Sequence, residues 1–564
     1  MIPGRFLIVV PAIVSACSGC GPGDGPESIV EPQIVQSVDV VPPNATIVVG
    51  QSIQFVATAR DAGGRPVDGQ EFTWSTSDPA VVSIDPDGRA TGVTAGTVTV
   101  TARTADMPGS ATVDVSDVPH AEGDINIDTG IVHQTMIGWD VVPFAGHWEC
   151  GDTFHNTELY NRYKDAVLDM IVEMGINRVR AELRTSAENP RDAWTEFRNG
   201  QIGYSEYRQV WYNAVNDNAD PNVINPDGFH FSELDTHIEM VINPLRERLQ
   251  AKGEKLYIVI NVIHGARTDP FQHRHDPDEY AEFLLAAFQH VEQKWGWIPD
   301  AIEVINEPDL GNRWTSAQIG NALVATGNRL KAAGYNPDFV APSGAGMDDS
   351  IVYFNEMIGM PGVAQYLTEF SYHRYNGVSD ANLNTIGQLS KQYAVGTAML
   401  ERIGSGYEDL HKDLTIAHNT SWEQYAIAGC NPGDPGGRHV LIDISDEMNP
   451  RPRLASRSHF LRLYFKWVKP GAVRIGATSG NGQLAPIAYI NRDGRYTVIV
   501  KATDGNTFTI GGLPRGTYGI AYATGPNDRT PNDTGDLADV QIGPGEALST
   551  SIGGRGIITI YGKN

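Results

Sequence analysis

The spacing of hydrophobic positions changes character twice along the chain. From Val35 to Val115, in stretches such as SIQFVATARDAGG, EFTWSTSDPAVVSID and GTVTVTART, apolar and polar residues alternate between Gly, Asp and Pro turns. Alternation places every second side chain on one face, so these runs predict half-buried strands of a small β-sandwich. Past GDINIDTGIVHQTMIGWD the period lengthens. Leu159, Tyr163, Val167, Ile171 and Met174 make one helical stripe, closed by Gly175. Strand-like INRVRAEL follows, then a helix over 231–251 and strand LYIVINVI. A helix over 278–295 leads to AIEVINE, and one over 315–333 to DFVAPSG. A helix over 349–359 precedes YLTEFSYH, one over 380–393 precedes VGTAMLE, and one over 407–418 precedes SWEQYAIAG. With an opening strand near 134–141, eight strands alternate with helices, which predicts a (β/α)8 TIM barrel with its chemistry at the C-terminal strand ends. From Lys469 alternation returns in IAYINRDGRYTVIVKA, and a second β-sandwich is expected beside the barrel.

Composition narrows the picture. The 564 residues carry a net charge of −26, which repels phosphate backbones and argues against a nucleic-acid partner. At the N-terminus Arg5 precedes the apolar run FLIVVPAIV, too short to span a bilayer, so residues 1–16 read as an export signal. Val14-Ser15-Ala16-Cys17 resembles a bacterial lipobox, which implies lipidation at Cys17 and a surface or outer-membrane location. Residues 17–34 are Gly-, Pro- and Ser-rich and read as a flexible stalk. A lipid there would be the only membrane contact. Besides Cys17 and Cys20 the chain has Cys150 and Cys430, an even pair that suits a disulfide in an exported protein. No HExxH or GxSxG motif appears, nor a Gly loop ending in Lys-Ser/Thr, and neither cofactor nor metal is expected. His264 lies in HGARTDPFQHRHDPDEY, read as a loop lining the substrate rather than as a metal site.

AIEVINEPDL raises the chemical question. Its apolar run ends on Asn306, Glu307 and Pro308, and a carboxylate at the end of an interior strand is costly unless paired or employed. VINEPDL resembles the acid/base strand of clan A retaining glycoside hydrolases. HQTMIGWD, INRVRAEL, SYHRYNG and RSHFLRLYFKWVKPGAVRI extend the likeness over about residues 124–510 to glycoside hydrolase family 30 or a close relative. WSTSDPAVVSIDPDGRATGVTAGTVTVTA resembles bacterial immunoglobulin-like group 2 domains.

The resemblance implies a division of labour. Glu307 would be the acid/base, held protonated by poor solvation or a negative neighbour, and a second carboxylate would attack the anomeric carbon. LTEF around Glu369 is the better local match to the family's nucleophile strand. Strand counting, however, puts Glu369 deep in the sixth strand and Glu401 at the end of the seventh, so Glu401 is the expected nucleophile. Arg180 would bond it, Asn306 would bind the neighbouring sugar hydroxyl, and His373 and Tyr375 would orient nucleophile or sugar. Trp422 would stack on a sugar, while Trp139 and Asp140 stand where the family has Phe and Gly and would alter the pocket floor. In a closed barrel the first and eighth strands are neighbours, which brings Cys150 near Cys430. The expected organisation is therefore signal 1–16, stalk 17–34, Ig-like domain 35–118, barrel 124–468 (or with its first strand or two joined to the side sandwich) and C-terminal sandwich 469–564. The expected activity is retaining hydrolysis of a poly- or oligosaccharide, with a non-catalytic carbohydrate-binding or adhesion protein as the alternative.

Overall fold

The computed structural model describes residues 34–61, 66–67, 69–104, 107–117, 122–146, 150, 157–264, 272–310, 314–430 and 436–563. The signal, Cys17 and nearly all of the stalk lie outside them. Among the described residues no helix is long and apolar enough to cross a membrane.

The N-terminal region is β-rich and Ig-like. Strand Gly96–Thr104 buries Val98, Val100, Ala102 and Thr104 and turns the intervening residues outward, as alternation requires. It pairs antiparallel with Met107–Ser116 and Thr73–Thr76. A smaller sheet of Ser52–Gln54, Val82–Ile84 and Arg89–Gly92 lies nearby. The buried side chains of this region form one apolar cluster with those of the C-terminal sheet. Thr129 Oγ1 also donates to Ser52 O at 3.1 Å, so the Ig-like region rests against that sheet.

The large α/β domain holds eight strands in one sheet: β1 Gly138–Ala145, β2 Arg178–Arg184, β3 Tyr257–Ile263, β4 Ala301–Glu303, β5 Asp338–Gly346, β6 Leu367–Asn376, β7 Gly396–Glu401 and β8 Ser421–Gly429. Strands β2 to β8 pair in parallel in chain order, and β1 pairs in parallel with β8. Between β1 and β2 the link is Asn177. Its Oδ1 accepts from Trp139 N at 3.0 Å, and its own N donates to Trp139 O at 3.2 Å. Val259, Ala301, Val340, Ala398 and Leu400 form a separate, fully buried apolar cluster contributed by β3, β4, β5 and β7. The helical stripe expected over 157–175 buries every one of its five residues in helix Thr157–Met174.

Two boundaries move. Ile125–Thr135 pairs with Val473–Ser479 and Asn506–Gly511, so it belongs to the nine-stranded C-terminal sheet, and β1 begins only at Gly138. After β8 the parallel sheet continues through Arg438–Asp443, then antiparallel through Arg451–Leu454, two strands the sequence did not announce.

Cys150 and Cys430, just past β1 and β8, form a disulfide with a Cα separation of 5.2 Å. The bond ties two points 280 residues apart in the chain, and closing so long a loop restricts the unfolded chain.

Candidate active site

At the C-terminal ends of the strands, two carboxylates face one another. One oxygen each from Glu307 and Glu401 and one nitrogen of His373 all lie within 4.8 Å of each other. Neither carboxylate follows from simple strand alternation. Glu307 sits just past β4 with φ +49° and donates its N–H to Ser343 O at 3.0 Å. That left-handed backbone, uncommon for a residue with a Cβ, turns the chain so that Asn306 and Glu307 both reach the mouth. On β7, Ala398 and Leu400 point into the apolar cluster, which would send Glu401 outward. The β6–β7 register slips there: Met399 pairs with Tyr372, but Glu401 pairs with His373. This bulge re-aims the glutamate.

Arg180 organises the pair from below. Fully buried, it grips Glu303 with two bonds at 2.7 and 2.9 Å. It also donates to Asn306 Oδ1 and Leu400 O at 2.9 Å each and to Glu423 at 3.3 Å, and its Nη1 lies 3.6 Å from Glu401 Oε2. Tyr375 donates its hydroxyl to the other Glu401 oxygen at 2.9 Å. Glu401 thus meets a cation and a phenol, and 14% of its side chain stays exposed.

His373 Nδ1 lies 3.1 Å from Glu307 Oε1, so His373 serves Glu307 and Tyr375 serves Glu401. Burial pushes the Glu307 carboxyl up, but the hydrogen bond and charge of His373, with Arg180, outweigh it and hold the group below the ordinary glutamate range. This reverses the expectation of a carboxyl held protonated in the free protein, and the neighbour responsible is His373. Two further carboxyls crowd the site. Burial, reinforced by Asp140, Glu401 and Glu303 against the pull of Arg180, raises Glu423 well above its usual range. Burial, opposed by Arg184 and Arg180 and assisted by Glu233 and Glu401, pushes Glu182 up to about 7.

Three expected sugar contacts belong elsewhere. Trp422 is the second residue of β8, at the wrong end for the mouth; it is fully buried and donates to Asp413 at 2.9 Å. Trp139, second in β1, is also fully buried, donates to Val468 O at 2.7 Å and stacks on Phe465 at 4.5 Å. Asp140 faces inward but is buried at the N-terminal ends, 2.8 Å from Arg178. Arg178 also pairs with Glu369 at 2.6 Å, and Glu369 takes hydroxyls from Ser421 and Thr420 at 2.5 and 3.0 Å. His264 ends beside Trp314, whose Nε1 donates to it at 3.3 Å.

The sequence reading passed over Glu182, Glu303, Glu423 and Tyr425. The signal was available: Glu182 is two residues past Arg180 on the same face of β2, and Tyr425 two past Glu423 on β8. Tyr425 is only half-buried and meets the Phe144 ring edge-on at 6.3 Å, giving the cleft wall an aromatic surface.

Glu307, His373 and Glu401 also have the atoms to ligate an ion, as do Asp217, Glu279 and Glu282 earlier in the chain. The histidines after β3 disperse: His273 pairs with Glu188 at 2.6 Å, and His275 lies 3.1 Å from Gln318.

Comparison with known proteins agrees with this layout. Residues 34–115 match the bacterial Ig-like domain (group 2). Ice-binding protein 1 of Shewanella frigidimarina (strain NCIMB 400) is 30% identical over 148 residues; the match takes in 26% of this chain, which therefore spans 16% of that relative. A GH30 endoxylanase from Clostridium papyrosolvens C71 superposes with a TM-score of 0.52 at 15% identity, covering 78% of this chain and 100% of that one. The endo-beta1,6-glucanase BT3312 gives 0.53 at 14% identity over 78% of this chain and 94% of its own. These structural neighbours are glycoside hydrolases, and at such identities what they share with this chain is a glycosidase-like fold.

Proposed function

We propose that this chain is an exported, retaining β-glycoside hydrolase that cleaves a poly- or oligosaccharide on a (β/α)8 barrel formed by β1–β8. The observation that carries the reading is the close approach of Glu307 and Glu401, oxygens within 4.8 Å, each with its own partner. Retaining enzymes hold their carboxyls about 5–5.5 Å apart, whereas inverting ones leave about 6.5–9.5 Å for a water. In the first step a Glu401 oxygen bonds to the anomeric carbon as the glycosidic C–O bond breaks. Glu307 gives its proton to the departing oxygen. In the second step Glu307 takes a proton from water, the water oxygen bonds to the anomeric carbon, and the ester to Glu401 breaks.

The remaining residues fall into place around these steps. Arg180 and Tyr375 keep Glu401 ionised and fix its orientation. Asn306, its oxygen occupied by Arg180, offers Nδ2 to the hydroxyl next to the anomeric carbon. Tyr425 and Phe144 offer a ring surface to a sugar. The two structural neighbours, an endoxylanase and an endo-beta1,6-glucanase, favour a carbohydrate substrate, and their different polymers leave the sugar open. The Ig-like region and the disulfide favour export, with residues 1–16 as signal, 17–34 as a stalk lipidated at Cys17, and 35–118 as a spacer.

Incubation with aryl β-glycosides and a panel of β-linked polysaccharides, followed by proton NMR within the first turnovers, tests the reading. The β-anomer should form first, and Glu307→Gln should abolish turnover of polymers with poor leaving groups. Initial release of the α-anomer would refute retention. Binding without turnover would favour the non-catalytic carbohydrate-binding reading.

A further inference from the structure

Away from the cleft, three carboxylates meet with no positive side chain in ion-pair contact among the described residues; Arg329 acts on Glu282 through its charge alone. Asp217 lies in the long connection between β2 and the helix starting at Ser232. Glu279 and Glu282 stand one turn apart on helix Pro277–Trp295. One oxygen from each lies within 4.8 Å of the others. The two glutamates are 6% and 1% exposed. Asp217 Oδ1, Glu279 Oε2 and Glu282 Oε1 are all buried without a hydrogen-bond partner. Among the described residues, none of the three carboxylates pairs with a Lys, Arg or His. The second Asp217 oxygen, by contrast, is fully occupied, accepting from Asn218 Nδ2 at 2.9 Å and Asn225 N at 2.5 Å. Those bonds fix the carboxylate and leave Oδ1 as its free atom. Three anions this close in a water-poor place are costly unless something positive joins them.

We propose that Asp217, Glu279 and Glu282 bind one calcium ion, which fastens the β2 connection to helix Pro277–Trp295. The donors are all carboxylate oxygens, the preference of a hard cation; neither sulfur nor imidazole is present to favour zinc or copper. Oxygens about 2.4 Å from one calcium ion lie no more than about 4.8 Å apart, and the three oxygens here fall within that limit. Magnesium demands a tighter octahedron at about 2.1 Å and gives up its waters reluctantly. A second tether next to the site supports its role as a fastening. Asp217 N donates to Glu188 Oε1 at 3.0 Å, and Glu188 Oε2 pairs with His273 at 2.6 Å. The fastened connection carries Trp194, Tyr207 and His230, which with Glu182 and Glu233 line a cavity of about 170 Å³. Ion binding would therefore set the shape of that wall.

The test uses the full chain, stripped with EDTA, in titration calorimetry and thermal unfolding with CaCl2 or MgCl2. One calcium should bind per chain. At about a hundredfold excess over its dissociation constant it should raise Tm by about 2–4 °C, with a smaller rise from magnesium. Glu282→Gln should lose both binding and shift, and so should Asp217→Asn, which changes the connection rather than the helix and serves if the first variant folds poorly. Absence of calcium binding to the folded wild type would overturn the proposal. So would binding that survives both substitutions, or a Glu282→Gln protein that without calcium melts higher than wild type in any salt, which would mean that a shared proton holds the cluster.

Discussion

Arg178 and Arg180 stand two residues apart on one strand, both fully buried and both facing acids, yet their surroundings differ. Around Arg178 everything is closed: Asp140 and Glu369 flank it, and Glu369, 1% exposed, faces Arg178 with one oxygen and takes the Ser421 and Thr420 hydroxyls on the other. Around Arg180 one side is closed by Glu303 and Glu423 and the other opens to the cleft through Glu401. A carboxylate so enclosed has no open approach for a sugar carbon. One held by a phenol at 2.9 Å and a guanidinium at 3.6 Å, and still in contact with solvent, has. On the proposed reading the lower arginine serves the fold and the upper one the chemistry.

Substitutions should separate the two ends. The largest stability effect is expected at the lower one. Arg178→Met leaves Asp140 and Glu369 buried without their cation and should cost about 3–5 kcal/mol in urea unfolding, while the protein that remains folded keeps its kcat. Normal stability with lost activity would erase the distinction. A smaller loss, about 2 kcal/mol, should follow Trp422→Phe, which removes the indole bond to buried Asp413. Tyr425→Ala should instead raise KM and leave the unfolding midpoint nearly unchanged. The reverse outcome would return Trp422 to the sugar.

The finest distinction is one of pH. His373 holds the Glu307 carboxyl below its usual range, and the acid works only while protonated, so kcat/KM should fall as pH rises through that low value. Removing the donor and its charge in His373→Ala raises the Glu307 pKa. The alkaline limb should then move up by about one pH unit. An unmoved or downward-shifted limb would detach His373 from the acid.

Much of this arrangement could be read from spacing. The helix expected over 380–393 is Asp380–Tyr393, and the alternation in GTVTVTART is one strand with one buried face. Strand counting separated Glu369 from Glu401 because depth along a parallel strand follows directly from sequence. The same count, applied from the start of each strand, would have moved Trp139 and Trp422 away from the mouth; each is the second residue of its strand, whereas Tyr425 is the fifth of β8. What spacing could not reveal is how the two carboxylates escape alternation. A positive φ at Glu307 and a register slip before Glu401 depend on neighbouring strands. The depressed Glu307 carboxyl depends on His373, 66 residues later in the chain, and neither propensity nor period carries that contact.

The central claim, that Glu401 is the nucleophile and Glu369 a structural anion, meets its most direct test in azide rescue. Glu401→Gly should hydrolyse activated aryl β-glycosides about 10⁴-fold or more slowly than wild type, recover rate with added azide, and release the α-glycosyl azide. Glu369→Gln should lose stability and show no azide product. An α-glycosyl azide from a Glu369→Gly protein, with Glu401→Gly still making the covalent intermediate, would contradict the account.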